Sequence, residues 1–140
     1  YDLYPDYAFA EEQGITYTTL DELYKQSDII SLHCPLTDKT KYLINDISIC
    51  KMKDNVMIIN TGRGLLIHTN ALIEGLKNKK IAAAGLDVYE EEGDYFYVIV
   101  TSHQAFFTKE ALHNIAETTL LNIKAFMENQ PLANEVVLPD

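Results

Sequence analysis

Short apolar runs recur along the chain and predict the strands of a sheet. The run Val56–Ile59 is apolar at every position, which is typical of a strand buried on both faces, as in a parallel sheet with helices on each side. Further stretches rich in apolar or β-branched residues lie at 15–18, 28–33, 81–88 and 98–101. Their length favours strands over helices.

Helical signals fill the connections between these runs. The residues expected to begin or cap a helix are, in chain order, Tyr7, Thr19, Asp46, Thr69 or Asn70, and Thr108. Gly14 is expected to end the first helix, because glycine adopts the left-handed conformation that commonly follows a helix. The helix from Asp46 is expected to reach about Lys53. The last helix is the longest, and its apolar residues recur at helical spacing.

This alternation of strands and helices predicts the fold class. Successive strands joined through helices form right-handed crossovers in a largely parallel sheet. We therefore predict a doubly wound, mostly parallel α/β domain.

Composition and charge narrow the function. Of the 140 residues, 47% are hydrophobic, which indicates a folded globular protein, and the net charge of −10 argues against a nucleic-acid partner. No apolar run approaches the length of a membrane span and no signal-peptide pattern opens the chain, so no membrane partner is expected. The two cysteines suggest a reduced, cytoplasmic setting. The four histidines and two cysteines lack metal-ligand spacing, so no metal site is expected.

Polar and small residues follow the predicted strands. In a parallel sheet the carboxyl ends share one edge, where ligands bind, so these residues should converge there. They are Asp2, Cys34–Pro35, Thr61–Gly62–Arg63, Asp87 and Ser102–His103. Arg63, between two glycines, could bind a carboxylate or phosphate with its planar guanidinium, although a solvated loop arginine is the simpler interpretation of that turn alone.

Histidine, glutamate and aspartate residues after the predicted strands suggest proton chemistry or cofactor contacts. His103 is the natural acid–base candidate, because imidazole titrates near neutrality. A carboxylate from the run Glu90, Glu91 and Glu92 could orient its ring, and spacing does not choose among the three. Asp2 could accept hydrogen bonds from a ribose diol or cap a helix, and Asp87 could face a nicotinamide or simply close a turn.

Four motifs resemble those of the D-isomer-specific 2-hydroxyacid dehydrogenases, most closely their D-lactate dehydrogenase branch. The motifs are Ser31–Thr37, Asn60–Gly64, Gly85–Glu92 and Ser102–Phe106, in the family's order. The resemblance implies a Rossmann-like NAD-binding domain, and a final helix that returns toward a substrate domain absent from this chain.

The resemblance also implies residue roles. Arg63 would bind the substrate carboxylate and keto oxygen, His103 would exchange the proton, and Glu92 would be the partner of His103. Asp2 would hold the adenosine ribose, which implies NAD rather than NADP. The other positions that would line the cofactor are Cys34, Pro35, Thr40, Thr61, Gly62, Arg63 and Asp87. Pyruvate and D-lactate are the implied substrate pair, and a homodimer the implied assembly.

Several departures from the family shape the expected domain organisation. The glycine-rich turn that should precede Asp2 is absent, so we expect the chain to begin inside a domain. A loop-and-helix stretch normally separates Tyr97 from Val98, and we expect a segment to be missing there. The expected boundary places residues 1–107 in the cofactor domain and 108–140 in, or leading to, the substrate domain. His68 replaces an acid of the family, as an expected neutral surface change.

Two other functions remain open. The chain could belong to a D-2-hydroxyisocaproate-type dehydrogenase that acts on longer branched 2-keto acids. It could also belong to a non-catalytic NAD-sensing module of the corepressor type.

Overall fold

The structure is a computed structural model that describes residues 1–90 and 98–135. By contacts the chain divides into two units, Tyr1–His103 and Gln104–Asp140. The elements of the first unit are α1 (Tyr7–Gln13), α2 (Leu20–Gln26), β1 (Ile29–Leu32), α3 (Asp46–Lys51), β2 (Val56–Asn60), a 3₁₀ turn (Gly64–Leu66), α4 (Thr69–Lys77), β3 (Ile81–Leu86) and β4 (Val98–Val100). The second unit contains α5 (Lys109–Met127).

The strands form one parallel sheet in the order β1-β2-β3-β4. The residues Leu32, Asn60, Leu86 and Val100 stand side by side across all four strands. The polar residues that follow these four positions therefore leave the sheet at one edge. The predicted parallel α/β fold is confirmed.

One face of the sheet carries the core of the first unit. Strand residues that alternate toward this face are buried, as with Val56 and Ile58, both 0% exposed. They pack in one apolar cluster with residues of α2, α3 and α4, such as Tyr24, Ile49 and Leu72. The expectation that Val56–Ile59 is buried on both faces is wrong for this structure, because Met57 and Ile59 are 41% and 38% exposed.

Helix starts agree with the sequence at some positions and differ at others. The Thr19 hydroxyl accepts from the Glu22 N–H, and the Thr108 hydroxyl from the Ala111 N–H, as predicted. The cap of α3 is Asn45 rather than Asp46, since the Asn45 side chain accepts from two backbone N–H groups of the first turn.

Two local predictions are wrong. The segment 15–18 forms no strand in the described part of the chain. Instead, the Tyr17 hydroxyl accepts from the Asp6 N–H, and its ring packs edge-to-face on Tyr7. At α4 neither Thr69 nor Asn70 is the cap, because the helix begins at Thr69 and His68 occupies the cap position without a capping hydrogen bond from its side chain.

Helix α5 differs from the helices of the first unit. It contains no buried residue, and its apolar side chains, including Leu120 and Phe126, are 66% and 73% exposed. The stripe predicted from helical spacing is present, and it faces outward within its own unit.

Candidate active site

The turn after β2 presents Arg63. Asn60, fully buried, braces this turn through its side-chain amide: Oδ1 accepts from the Gly62 N–H at 3.0 Å, and Nδ2 donates to the Arg63 carbonyl at 2.9 Å. The Arg63 side chain is exposed, and its Nη1 donates to the Gly62 carbonyl at 2.8 Å. The backbone of Arg63 is thus fixed while its guanidinium stays at the surface.

A close backbone approach holds the other side of the turn. A Cβ at Gly64 would lie 2.3 Å from the carbonyl carbon of Tyr89 and 2.7 Å from the backbone nitrogen of Glu90. Only glycine permits this contact. A Cβ at Gly62 would meet its nearest neighbours at ordinary distances of 3.5–3.7 Å. Of the two glycines that flank Arg63, Gly64 is therefore the one that packing requires.

Backbone hydrogen bonds join the exits of β2, β3 and β4. The Asp87 N–H donates to the Asn60 carbonyl at 2.9 Å, and the His103 N–H donates to the Asp87 carbonyl at 2.8 Å. Asp87 is 4% exposed, and its carboxylate accepts from the Thr101 hydroxyl. The predicted residues Arg63, Asp87 and His103 are thereby brought to one edge.

His103 has an unusual backbone. Its φ of 57° lies in the left-handed region, which costs a non-glycine residue about 1 kcal/mol or more. The Asp87 carbonyl holds the residue in that conformation, and its side chain is exposed. The hydrogen bond from the His103 N–H to the Asp87 carbonyl, rather than a regular strand, therefore fixes the backbone from which the imidazole side chain extends.

The residues after β1 are held within their own loop. The Thr40 hydroxyl donates to the Pro35 carbonyl at 2.7 Å and accepts from the Thr37 N–H at 2.8 Å. Cys34 is half-buried, and burial raises the pKa of its thiol. Thr40 therefore holds in place the backbone of the Cys34–Pro35 segment.

Asp2 lies in the exposed N-terminal segment. Its Oδ1 accepts from the Tyr4 N–H at 2.8 Å, a turn within that segment. In the described residues, hydrogen bonds connect Asp2 to none of the other predicted site residues.

Of the three glutamates that could be the partner of His103, the structure describes Glu90. Glu90 accepts from the Tyr42 hydroxyl with one carboxylate oxygen and from the Thr69 hydroxyl, at 3.2 Å, with the other. These bonds, the Tyr42 bond first, lower the pKa of Glu90. Glu90 is thus bound by Tyr42 and Thr69, while Glu91 and Glu92 lie outside the described residues, so the partner of His103 stays a prediction.

Sequence reasoning missed Asn60 and Tyr42 as parts of this edge. The Asn60 brace had a signal, because asparagine before a small-residue turn commonly bonds to the backbone two residues ahead. Tyr42 had none, since its partner Glu90 lies far away in sequence. His68 was also misjudged as a surface change: its ring packs edge-to-face on Tyr42 at 5.0 Å, and its Nδ1 is buried.

In the described part of the chain, no helix is both long and apolar enough to cross a membrane.

Comparison with known proteins gives consistent matches. Residues 1–125 match the family model described as "D-isomer specific 2-hydroxyacid dehydrogenase, NAD binding domain". The chain is 42% identical to the D-lactate dehydrogenase of Escherichia coli K12 over 158 positions, covering 98% of this chain and 48% of that protein. It is 45% identical to an aromatic 2-oxoacid reductase of Clostridium sporogenes, covering 82% and 41%.

A solved structure agrees with these matches. The crystal structure of D-lactate dehydrogenase with NAD⁺ from Lactobacillus jensenii superposes with a TM-score of 0.87 at 32% identity, covering 98% of this chain and 47% of that one. The chain thus spans less than half the length of each of these proteins. The alignment of 158 positions exceeds the 140 residues here, so the E. coli enzyme has residues within the aligned region that this chain lacks.

These matches confirm the resemblance inferred from the four motifs, and NAD as the cofactor that goes with it. The chain belongs to the D-isomer specific 2-hydroxyacid dehydrogenase family and carries its NAD binding domain.

Proposed function

We propose that this chain is the cofactor-binding part of an NAD-dependent D-2-hydroxyacid dehydrogenase that interconverts pyruvate and D-lactate. The observation that carries the proposal is the hydrogen-bonded path from Asn60 through Asp87 to His103. It ties an exposed arginine and an exposed histidine to neighbouring strand exits. A cation for the substrate carboxylate and a proton donor for its oxygen are the two groups that reduction of a 2-keto acid needs from the protein.

The residues at this edge fit NAD. Gly62 and the half-buried Cys34 leave little side-chain bulk at the exits of β1 and β2, which favours the approach of a flat, extended ligand. An exposed carboxylate at Asp2 suits the hydroxyls of a ribose and would repel a 2′-phosphate. We propose that Asp2, Cys34, Pro35, Thr40, Thr61, Gly62, Arg63 and Asp87 line the cofactor.

In the proposed reaction the cofactor, when bound, supplies the hydride. Arg63 binds the keto acid carboxylate and stabilises the negative charge that grows on the keto oxygen. His103 donates the proton to that oxygen, and in the reverse direction accepts it. Glu92 orients the imidazole, as the family motif implies. Asn60 and Gly64 keep the Arg63 backbone in place, so the side chain extends toward the substrate from a fixed position.

The remaining proposals concern the whole protein. We assign residues 1–107 to the cofactor domain and 108–140 to the helix and tail that lead to the substrate domain. The exposed apolar side chains of α5 support this role. We also propose a homodimer and a cytoplasmic location consistent with the free cysteines. A further proposal is a segment missing between Tyr97, which lies outside the described residues, and Val98.

The test is an NADH-oxidation assay of the full-length protein with a panel of 2-keto acids. The panel contains pyruvate, a branched C6 2-keto acid and phenylpyruvate, because a relative of comparable identity is an aromatic 2-oxoacid reductase. The highest kcat/KM is expected with pyruvate. A preference for the branched acid would indicate the D-2-hydroxyisocaproate type. NADH binding without reduction of any acid would favour the corepressor-type module and contradict an enzyme.

A further inference from the structure

Helix α4 begins without a cap from its own sequence. The cap position is His68, whose side chain makes no capping bond, so the first turn depends on a partner from elsewhere. That partner is Glu90. Its carboxylate accepts from the Thr69 hydroxyl, and the Thr69 backbone N–H also stabilises its charged form and lowers its pKa. A carboxylate here is favoured by the positive end of the helix dipole.

The second oxygen of Glu90 is bound by Tyr42. The Tyr42 ring packs edge-to-face on His68, and the Tyr42 backbone N–H donates to the Leu65 carbonyl at 2.8 Å. Tyr42 is therefore itself fixed to the 3₁₀ turn that follows Arg63. One carboxylate thus ties together the segment after β3, the start of α4 and the loop that precedes α3.

This tie reaches Arg63 through Gly64. The backbone of Tyr89 and Glu90 lies so close to Gly64 that no side chain could fit between them. On the other side, Asn60 holds the Arg63 carbonyl. Arg63 is therefore confined between a brace that ends at Asn60 and a backbone contact that Glu90 keeps in place.

We propose that Glu90 is a positioning residue for Arg63: through Tyr42 and Thr69 it holds the Tyr89–Glu90 backbone against Gly64, and so fixes where the guanidinium meets the substrate carboxylate. The inference rests on the proposed function, because it gives Arg63 the role of binding the 2-keto acid. In the proposed site Glu90 itself touches neither substrate nor cofactor.

The experiment measures steady-state kinetics of the full-length protein and of three variants that alter the hydrogen bonds from Tyr42 and Thr69 to Glu90. Glu90→Ala removes both bonds and Tyr42→Phe removes one of them. Glu90→Gln keeps the shape of the side chain without its charge. Glu74→Ala is the matched control, since Glu74 is an exposed glutamate of α4 that pairs only with Lys77 in the described residues. We expect Glu90→Ala to lower kcat/KM for pyruvate about tenfold, within the loss of up to about 100-fold that misplacement of a binding group causes.

The two milder variants should lower the same constant by smaller factors, and the control should leave it unchanged. The KM for NADH should stay within about twofold of the wild-type value in all of these variants. A general loss of structure would instead change both kcat/KM for pyruvate and the KM for NADH. Should Glu90→Ala fail to fold, Tyr42→Phe and Glu90→Gln carry the same comparison.

The decisive arm places Glu90→Ala in an Arg63→Ala background. If Glu90 acts through Arg63, the second substitution causes no further loss of kcat/KM for pyruvate. Additive losses, or an equal rise in the KM for NADH, would overturn the positioning role while leaving the proposed function intact. A wild-type protein that binds NADH and reduces no 2-keto acid would overturn the proposed function, and this inference with it.

Discussion

The exits of β2, β3 and β4 and the N-terminal segment, residues 1–5, are both predicted to meet the cofactor or substrate, yet they are built differently. Asp87 at the strand exits is 4% exposed, and hydrogen bonds within the described residues tie it to Asn60, Thr101 and His103. Asp2 is exposed, and its carboxylate bonds to a neighbour two residues away. Both carboxylates follow a predicted strand in the sequence, yet Asp87 is buried within the fold and Asp2 is exposed at the surface.

The difference separates residues that form the site from residues that only present a group to it. Asn60, Gly64 and Asp87 are buried or tightly packed, so substitution there should disturb folding. Arg63, His103 and Asp2 present exposed side chains, so substitution there should change chemistry or binding and leave the fold intact.

The largest effect is expected on turnover at His103. His103→Ala should lower kcat about 100-fold to 10,000-fold, because the proton donor is lost, with a modest change in NADH affinity. The measurement is NADH oxidation with pyruvate by the full-length protein. His113→Ala is the control, since this histidine is exposed on α5. Near-normal reduction by the His103 variant would remove His103 from the acid–base role.

The next effect is on stability, at the glycines that flank Arg63. Gly64→Ala should lower the free energy of unfolding by about 3 kcal/mol, because the new Cβ would overlap the Tyr89 backbone. Gly62→Ala should cost less than about 1 kcal/mol, because its Cβ meets only ordinary contacts. Urea unfolding of both variants measures the difference. Equal losses would show that the tight approach at Gly64 does not exist in the protein.

The two carboxylates give a smaller contrast. Asp87→Ala should cost about 1–3 kcal/mol of stability, because it removes a buried side chain together with its hydrogen bond to the Thr101 hydroxyl. Asp2→Ala should change stability by less than about 0.5 kcal/mol. It should instead weaken discrimination between NADH and NADPH, measured as the ratio of their kcat/KM values. A stability loss at Asp2 that matches the loss at Asp87 would erase the contrast between the two regions.

The smallest effect is the pH dependence of stability from Glu90. Its pKa in the folded protein is below the ordinary 4.5, through the Tyr42 hydroxyl, the Thr69 groups and His68. The stabilisation is therefore complete above pH 4.5 and is lost as pH falls through the lowered pKa. Wild type should be more stable than Glu90→Gln by less than about 1 kcal/mol at pH 7, because solvent screens the Glu90 charge, and the difference in stability should narrow below pH 4.5. A difference that grows in acid would contradict this assignment.

The sequence predicted those parts of the molecule that depend on local patterns. The strands of the sheet, the Gly14 end of α1 and the Thr108 cap of α5 follow from periodicity and capping chemistry. The edge where Arg63, Asp87 and His103 meet follows from parallel topology. The burial of Val56–Ile59 was overestimated, because an all-apolar run does not show which face the rest of the chain covers.

The parts that sequence could not predict depend on contacts between distant residues. The start of α4 was misjudged because the carboxylate found there, Glu90, which accepts from the Thr69 hydroxyl, comes from beyond the next strand. His68 was misjudged for the same reason, since Tyr42 covers its ring. The left-handed backbone of His103 has no local signal, and it occurs where the His103 N–H bonds to the distant Asp87 carbonyl.

The main role proposed for the Arg63 side chain is to bind the keto acid, and we expect its contact with the cofactor to contribute little to NADH affinity. The most direct measurement is kcat/KM for pyruvate in full-length Arg63→Ala and Arg63→Lys, with NADH affinity determined by fluorescence titration. We predict that kcat/KM falls about 100-fold to 1,000-fold for alanine and less for lysine, with nearly unchanged NADH affinity in both. Equal loss of NADH binding, or pyruvate turnover that survives the alanine substitution, would contradict it.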